Sequence, residues 1–192
     1  MNSTARQKQY KRTPISRLAL SEALLALMEE MPISRITVSM LCEKASVHRS
    51  TFYVHYQDIY SLLDEIEQGL YQEIERIIGC TNESKPTPSL LRNLYEVVDK
   101  NRSLCRVLFG KYGDPSFLRS IGNIHRDTMI NRWKQFVPPQ DHHMLEYIHA
   151  FSSYTSIGII EKWVTGNHPE TAEELAQIAS RLIMNGINAI LS

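Results

Sequence analysis

Apolar residues recur along this chain at helical spacing and show no useful β-like alternation. Leu20, Ala23, Leu24, Leu27 and Met28 fall at i, i+3, i+4, i+7 and i+8, one face of a first helix. Pro14 suits its first turn and Pro32 stops it. Thr37 is placed to cap a second helix through Lys44, Ala45 to Val47 make a tight turn, and a third helix covers His48 to Val54. Ile59, Leu62, Leu63, Ile66, Leu70, Ile74 and Ile77 mark a long fourth helix. Residues 79–88, GCTNESKPTP, read as a loop and a boundary. Further helices are expected at 89–100, 102–110, 115–136, 142–165 and 171–191, separated by Gly110, Gly113 and Pro115, by Pro138 and Pro139, and by Gly166 and Pro169.

The last two helices are unusual. In one, Met144, Tyr147, Phe151, Tyr154 and Gly158 form a row beside a second row of Leu145, Ile148, Ser152, Thr155, Ile159 and Trp163. The other carries Leu175, Ile178, Ala179, Leu182, Ile183, Ile187 and Ile190. A helix apolar over much of its circumference buries more than one face. A homodimer interface built on Ile159, Trp163, Ile183, Ile187 and Ile190 is the economical solution. The same pattern also fits central helices of a monomer core.

Charge adds a polarity to this picture. The chain of 192 residues has zero formal net charge, yet residues 1–56 hold eight Lys/Arg against four Glu. Such a split hints at a nucleic-acid-facing end. The three cysteines, Cys42, Cys80 and Cys105, form no CxxC, which suits a reducing compartment better than a disulfide framework. The polar, basic start leads into no signal-peptide core, and the apolar runs are too short to span a bilayer. A cytoplasmic protein without a membrane partner is expected.

The segment TVSMLCEKASVHRSTFYVHY, residues 37–56, is helix, tight turn, short second helix. The second helix of a helix-turn-helix enters the DNA major groove with its N-terminal residues against base edges. Val47, Phe52 and Tyr56 would lock it inward. His48, Arg49, Ser50 and Thr51 would be presented outward, with Tyr53 and His55 as donors to phosphate. No acid interrupts them, as a groove of phosphates requires. An ordinary solvated helix pair has the same spacing.

The stretch ITVSMLCEKASVHRSTFYVHYQDIYSLL resembles the N-terminal domain of the tetracycline-repressor (TetR/AcrR) family. It has that family's Thr-Val opening, its Thr-x-Tyr-x-His-Tyr ending and its Asp-x-x-x-Leu-Leu helix start; the resemblance covers about residues 15–65. GIIEKWVTGNHPETAEELAQI resembles a subgroup more loosely. The resemblance implies an all-α protein of about nine helices. An N-terminal three-helix DNA-binding domain (1–57) would precede a C-terminal helical bundle for ligand binding and dimerisation (58–192). It also implies a homodimeric regulator, mostly repressors in that family, binding a double-stranded DNA operator and released by a small molecule. Thr37, Arg49, Thr51, Tyr53 and His55 fall where the family touches DNA. Three departures stand out: Ser46 in place of the turn glycine, His48 in place of a Ser/Thr cap, and Ser50 in place of a small residue. A helical coactivator or interaction module that keeps the helix-turn-helix as scaffold is the alternative.

Other chemistry is thin. Tyr95, Phe109, Phe117, His125, Met129, Trp133, Phe151 and Tyr154 could line a pocket for an apolar or aromatic effector, although aromatics at this spacing fit a core equally well. His142, Glu146 and His149 share a helical face, but no second ligand set accompanies them, so no metal is expected. Cys42 fits inert packing. No phosphate loop, nucleophile elbow or paired acids suggest an enzyme, and no cofactor is expected.

Overall fold

The computed structural model describes the backbone of residues 3–80, 88–124, 126–135 and 137–191, and the side chains of these except 3–14, 132 and 187–191. Among the described residues it holds ten α-helices, two short 3-10 turns and no strand. The helices are α1 (Ser3–Glu30), α2 (Val38–Lys44), α3 (Arg49–His55), α4 (Ile59–Cys80), α5 (Pro88–Lys100), α6 (Arg102–Leu108), α7 (Pro115–Gly122), α8 (Arg126–Trp133), α9 (Leu145–Thr165) and α10 (Ala172–Leu191). The all-α expectation holds. Contacts group residues 1–69 with 111–113, and 70–110 with 114–192, so α4 contributes to both units. Residues 81–87, within the stretch read as a boundary loop, lie outside the described residues.

In the first unit the predicted apolar row is the core. Leu20, Leu24 and Met28 of α1, Leu41 of α2, Phe52 of α3 and Leu62 of α4 are all nearly or wholly buried. Burying such a side chain contributes about 1.5–3 kcal/mol each, which holds the two short helices α2 and α3 to α1 and α4. Asp58 starts α4: its Oδ1 accepts from Ser61 N at 2.8 Å, while Ser61 Oγ donates to the Asp58 carbonyl at 2.7 Å. One expectation is corrected here. Pro14 is not in the first turn, because α1 begins at Ser3 and Pro14 lies inside it. Arg6, Gln7, Lys8, Gln9, Lys11 and Arg12 before it are good helix formers, which favours a helix that runs on across the proline despite one missing hydrogen bond.

In the second unit α5 packs on α10, and α9 packs against α6, α7, α8 and α10. Its best-anchored residue is Trp163, 2% exposed. The indole Nε1 donates to the Glu170 carbonyl at 2.9 Å, and the Arg102 guanidinium lies 4.6 Å from the ring centroid. Arg102 and Arg106 donate to the carbonyls of Trp163 and Val164 at 3.0 and 3.2 Å, satisfying the end of α9. Thr171 and Glu174 then form a capping box for α10: Thr171 N donates to the Glu174 carboxylate and Glu174 N to Thr171 Oγ1. The helix expected over 115–136 is broken into α7 and α8. Gly122 and Asn123 are poor helix formers, and the Asn123 side-chain amide turns back to the Arg119 carbonyl at 2.8 Å. Pro138 and Pro139 give a 3-10 turn, so α9 starts at Leu145, three residues after the expected start.

Candidate nucleic-acid interface

The turn between α2 and α3 follows from its hydrogen bonds. Thr37 Oγ1 accepts from Met40 N at 3.2 Å and caps α2, as expected. At the other end Val47 N donates to the Cys42 carbonyl at 2.9 Å and Ser46 N to the Glu43 carbonyl at 3.1 Å. These two bonds make a Schellman motif, which needs a left-handed residue at its centre. That residue is Ser46, with φ 53°. A side chain in this region costs about 1–2 kcal/mol relative to glycine, less glycine's own entropy loss. Ser46→Gly should therefore raise stability by about 0.5–1 kcal/mol, and thermal unfolding should show a midpoint a few degrees higher. An unchanged or lower midpoint would show that the serine conformation is unstrained.

α3 hangs on Phe52 and Tyr56, which are 0% and 5% exposed. Their rings sit 5.7 Å apart. Tyr56 is fixed further by charge: its hydroxyl receives the Arg17 Nε–H at 3.3 Å and donates to Glu65 Oε1 at 3.1 Å, while Arg17 pairs with Glu65. This network ties α1, the end of α3 and the start of α4 together. It also holds the Arg17 guanidinium above its ordinary pKa, through the bonds to Tyr56 and Glu65.

The rest of α3 faces outward. Thr37, His48, Arg49, Ser50 and Tyr53 are exposed, and Thr51 and His55 are half-buried. Arg49 forms no ion pair among the described residues. His48 is the N-cap of α3 yet makes no side-chain capping bond. That leaves its imidazole uncommitted within the motif. Val54, 76% exposed, is an apolar member of the outward face that the sequence reading did not single out. The Cys42 thiol is buried behind this face and burial pushes its pKa up, with Arg49 opposing weakly. Inert packing suits it.

The second unit contains a pocket of about 120 Å³. Aliphatic walls come from Ile74 and Ile78 of α4, from Leu91 and Val98 of α5, and from Ile157 and Ile160 of α9. Of the eight expected lining residues, Phe109 and Met129 are there. Tyr95, Phe117 and Trp133 are buried without lining it, Tyr95 with its hydroxyl at the lining residue Ser156, and Phe151 and Tyr154 are 44% and 55% exposed on α9. His125 lies outside the described residues. The sequence reading missed the polar lining, His149, Ser152, Ser153 and Ser156. Their spacing, i, i+3, i+4 and i+7 along an apolar helix, was the available signal.

The apolar surface of α9 and α10 also differs from expectation. Trp163 and Ile183 are 2% and 0% exposed, packed inside their own unit, and Ile159 is half-buried. The side chains of Ile187 and Ile190 lie outside the described residues. The outward apolar residues are Tyr147, Phe151 and Tyr154 of α9 with Ile178 and Leu182 of α10. The Phe151 ring lies so close to Gly186 that a Cβ there would meet it at 2.7 Å.

His142, Glu146 and His149 are not assembled into one site. The His142 ring nitrogen meets the Lys134 and Val137 carbonyls at 3.3 and 3.1 Å, Glu146 pairs with Arg126, and His149 Nε2 meets Ser153 Oγ at 3.3 Å. Among the described residues no three metal-ligating side chains converge. Burial lowers the His149 pKa, helped by Arg126 and opposed by Glu146 and Asp127. The unfolded chain then takes up this proton first, near pH 6.5. Stability present above that pH is lost as pH falls toward the depressed folded value. His149→Gln should flatten this part of the curve. Urea midpoints at pH 7.5 and 5.5 check it: the wild type should fall further than the variant, and equal falls would exclude His149 as the cause.

Among the described residues no helix is long and apolar enough to cross a membrane. Comparison with known proteins fits the geometry. A family model described as a transcriptional regulator C-terminal region, TetR_C_8, matches residues 87–185, about half of the chain. Over 170 residues the chain is 21% identical to the Uncharacterized HTH-type transcriptional regulator YxbF of Bacillus subtilis (strain 168), covering 85% of this chain. The match spans 43% of YxbF, so this chain accounts for less than half the length of that relative. In fold it is similar to a TetR transcriptional regulator from Streptococcus agalactiae 2603V, with 22% identity, a TM-score of 0.64, and 95% and 99% of the two chains covered. The Dihydroxyacetone kinase operon activator DhaS is similar at 18% identity, a TM-score of 0.55, and 91% and 97% coverage. A helix-turn-helix with an outward, donor-rich second helix, joined to a C-terminal region that matches the family over its length, leads to one conclusion: the chain belongs to the TetR family of DNA-binding transcriptional regulators.

Proposed function

We propose that the protein acts in the cytoplasm as a homodimeric repressor, with α3 of each subunit in a major groove of a palindromic operator, and that a small apolar or aromatic effector releases it. In this reading residues 1–57 are the DNA-binding domain and 58–192 the ligand-binding and dimerisation domain. The observation that carries it is the outward face of α3. Arg49, Ser50 and Tyr53 are exposed donors on a helix anchored from behind by two buried rings, and no acid occurs from Lys44 to Tyr56. Arg49 reads guanine or phosphate; Tyr53 and His55 hold phosphate; Thr37 donates from the start of α2, and His48 and Thr51 from the first turns of α3.

Dimerisation uses the exposed apolar face of α9 and α10 rather than Trp163 and Ile183. Among the described residues Tyr147, Tyr154, Ile178 and Leu182 stay about half exposed or more, and Phe151, packed against Gly186 on one side, is still 44% exposed. Exposed patches of this kind mark interaction sites. A Cβ on Gly158, in the same row, would meet nothing within 4 Å, which leaves room for a partner helix. The effector occupies the pocket beside Ile74 and Ile78 and so acts on α4, whose first half carries Glu65 of the Tyr56 network. A coupling of about 1–3 kcal/mol is usual for such a switch, and operator must then weaken effector binding by the same factor.

Sedimentation tests the assembly. The unmodified protein should be a dimer at micromolar concentration and should bind an operator duplex two chains at a time. Leu182→Glu should give monomers or aggregates and lose two-headed binding. A stable monomer of the unmodified protein would contradict the reading. Likeness in fold to the operon activator DhaS suits a second reading, a coactivator that keeps the helix-turn-helix as scaffold. That protein would form the same dimer and retain no duplex.

A further inference from the structure

The pocket of the second unit carries all its polarity on one strip. His149, Ser152, Ser153 and Ser156 project from α9 at i, i+3, i+4 and i+7, and every other lining side chain is apolar or, at Gly122, absent. Among the described residues no Asp, Glu, Lys or Arg lines it. Arg126, whose charge reaches His149, is already paired with Glu146 and Asp127, so an ionised ligand would leave water there without a free countercharge, which is heavily unfavourable. Ser152 Oγ is already committed, donating to the His149 carbonyl at 3.0 Å. His149 Nε2 and Ser153 Oγ meet at only 3.3 Å, a long contact between two groups that each keep donor and acceptor capacity. Burial favours the neutral imidazole, which offers one donor and one acceptor. The volume, about 120 Å³, is close to that of a dry apolar cavity that accepts benzene, about 150 Å³.

We propose that this pocket takes an uncharged amphiphile of single-ring size, a simple phenol or aryl alcohol, with its one hydrogen-bonding head at His149 and Ser153 and its body against the aliphatic walls. The proposal deepens the reading of this pocket as the effector site and rests on it. Aryl carboxylates lack a free countercharge among the described lining residues.

Calorimetric titration of the full chain at pH 7.5 with p-cresol, p-xylene and p-toluate tests the class. p-Cresol and p-xylene differ only by hydroxyl against methyl, and p-toluate adds the charge. p-Cresol should bind several-fold more tightly than p-xylene, and p-toluate most weakly. His149→Leu should remove most of the advantage of p-cresol over p-xylene. Ser153→Ala, a smaller change at an only part-buried site, should weaken p-cresol alone by several-fold and serves if the first variant fails to fold. Equal binding of p-cresol and p-xylene, a preference for p-toluate, or no binding of any of the three overturns the proposal. The effector reading is separated by repeating the titrations against operator-bound protein. If p-toluate is the ligand whose affinity operator changes, the class falls and the effector reading stands. If p-cresol binds with the expected selectivity but is indifferent to operator, the class stands and the effector reading falls.

Discussion

Trp163→Ala is expected to destabilise the protein by about 3–5 kcal/mol, the usual range for removing a large aromatic from a packed core. The side chain is 2% exposed, and three separate interactions end on it or beside it. Tyr95 packs edge-on at 6.3 Å between centroids, Arg102 covers the ring, and Nε1–H satisfies the Glu170 carbonyl. Removing the indole leaves a cavity, an uncovered guanidinium and an unpaired carbonyl together. Trp163→Phe keeps most of the ring but not the donor, and should cost about 1–3 kcal/mol. Urea unfolding at pH 7.5 measures both. A loss below about 1 kcal/mol for the alanine variant would mean that this cluster does not hold α9 to α6 and the start of α10.

Arg49→Ala should weaken binding to a cognate duplex by about 1–3 kcal/mol if Arg49 reads a base, and should relax preference at that position. Stability should change little, because the side chain is exposed and forms no ion pair among the described residues. Tyr53, 59% exposed, makes the contrasting case. Tyr53→Phe should weaken all duplexes alike if its hydroxyl holds phosphate, without shifting sequence preference. Fluorescence titration against cognate and scrambled duplexes separates the two effects. Full affinity in both variants, with folding intact, would remove α3 from the interface.

Much of the first unit was legible because its signals are local. The apolar row of α1 states which face is buried and Thr37 caps the helix it precedes, while the left-handed φ of 53° at Ser46 was visible only through the resemblance, which puts that serine where the family carries a turn glycine. The second unit was less legible for a specific reason. Trp163 and Tyr154 both sit on apolar rows of α9, but periodicity does not say which row another helix of the same subunit will cover. Contacts from α5 and α6, far away in sequence, bury Trp163, whereas the described residues leave Tyr154 55% exposed. The aromatics expected in a pocket therefore stand partly on the surface, and a residue expected at an interface lies in the core. The pocket's polar strip was readable in HAFSSYTS, but only once its apolar counter-wall from α4 and α5 was in place. The break after Gly122 was also readable, as a glycine followed by an asparagine.

The central claim is that α3 reads DNA from a two-fold assembly, and selection from a random duplex pool with the unmodified full chain tests it most directly. The expected product is a palindrome whose half-sites are separated by a fixed number of base pairs, close to whole helical turns, with one strongly preferred position that Arg49→Ala loses. A pool no different from its input after repeated rounds, at low salt and without effector, would contradict the account.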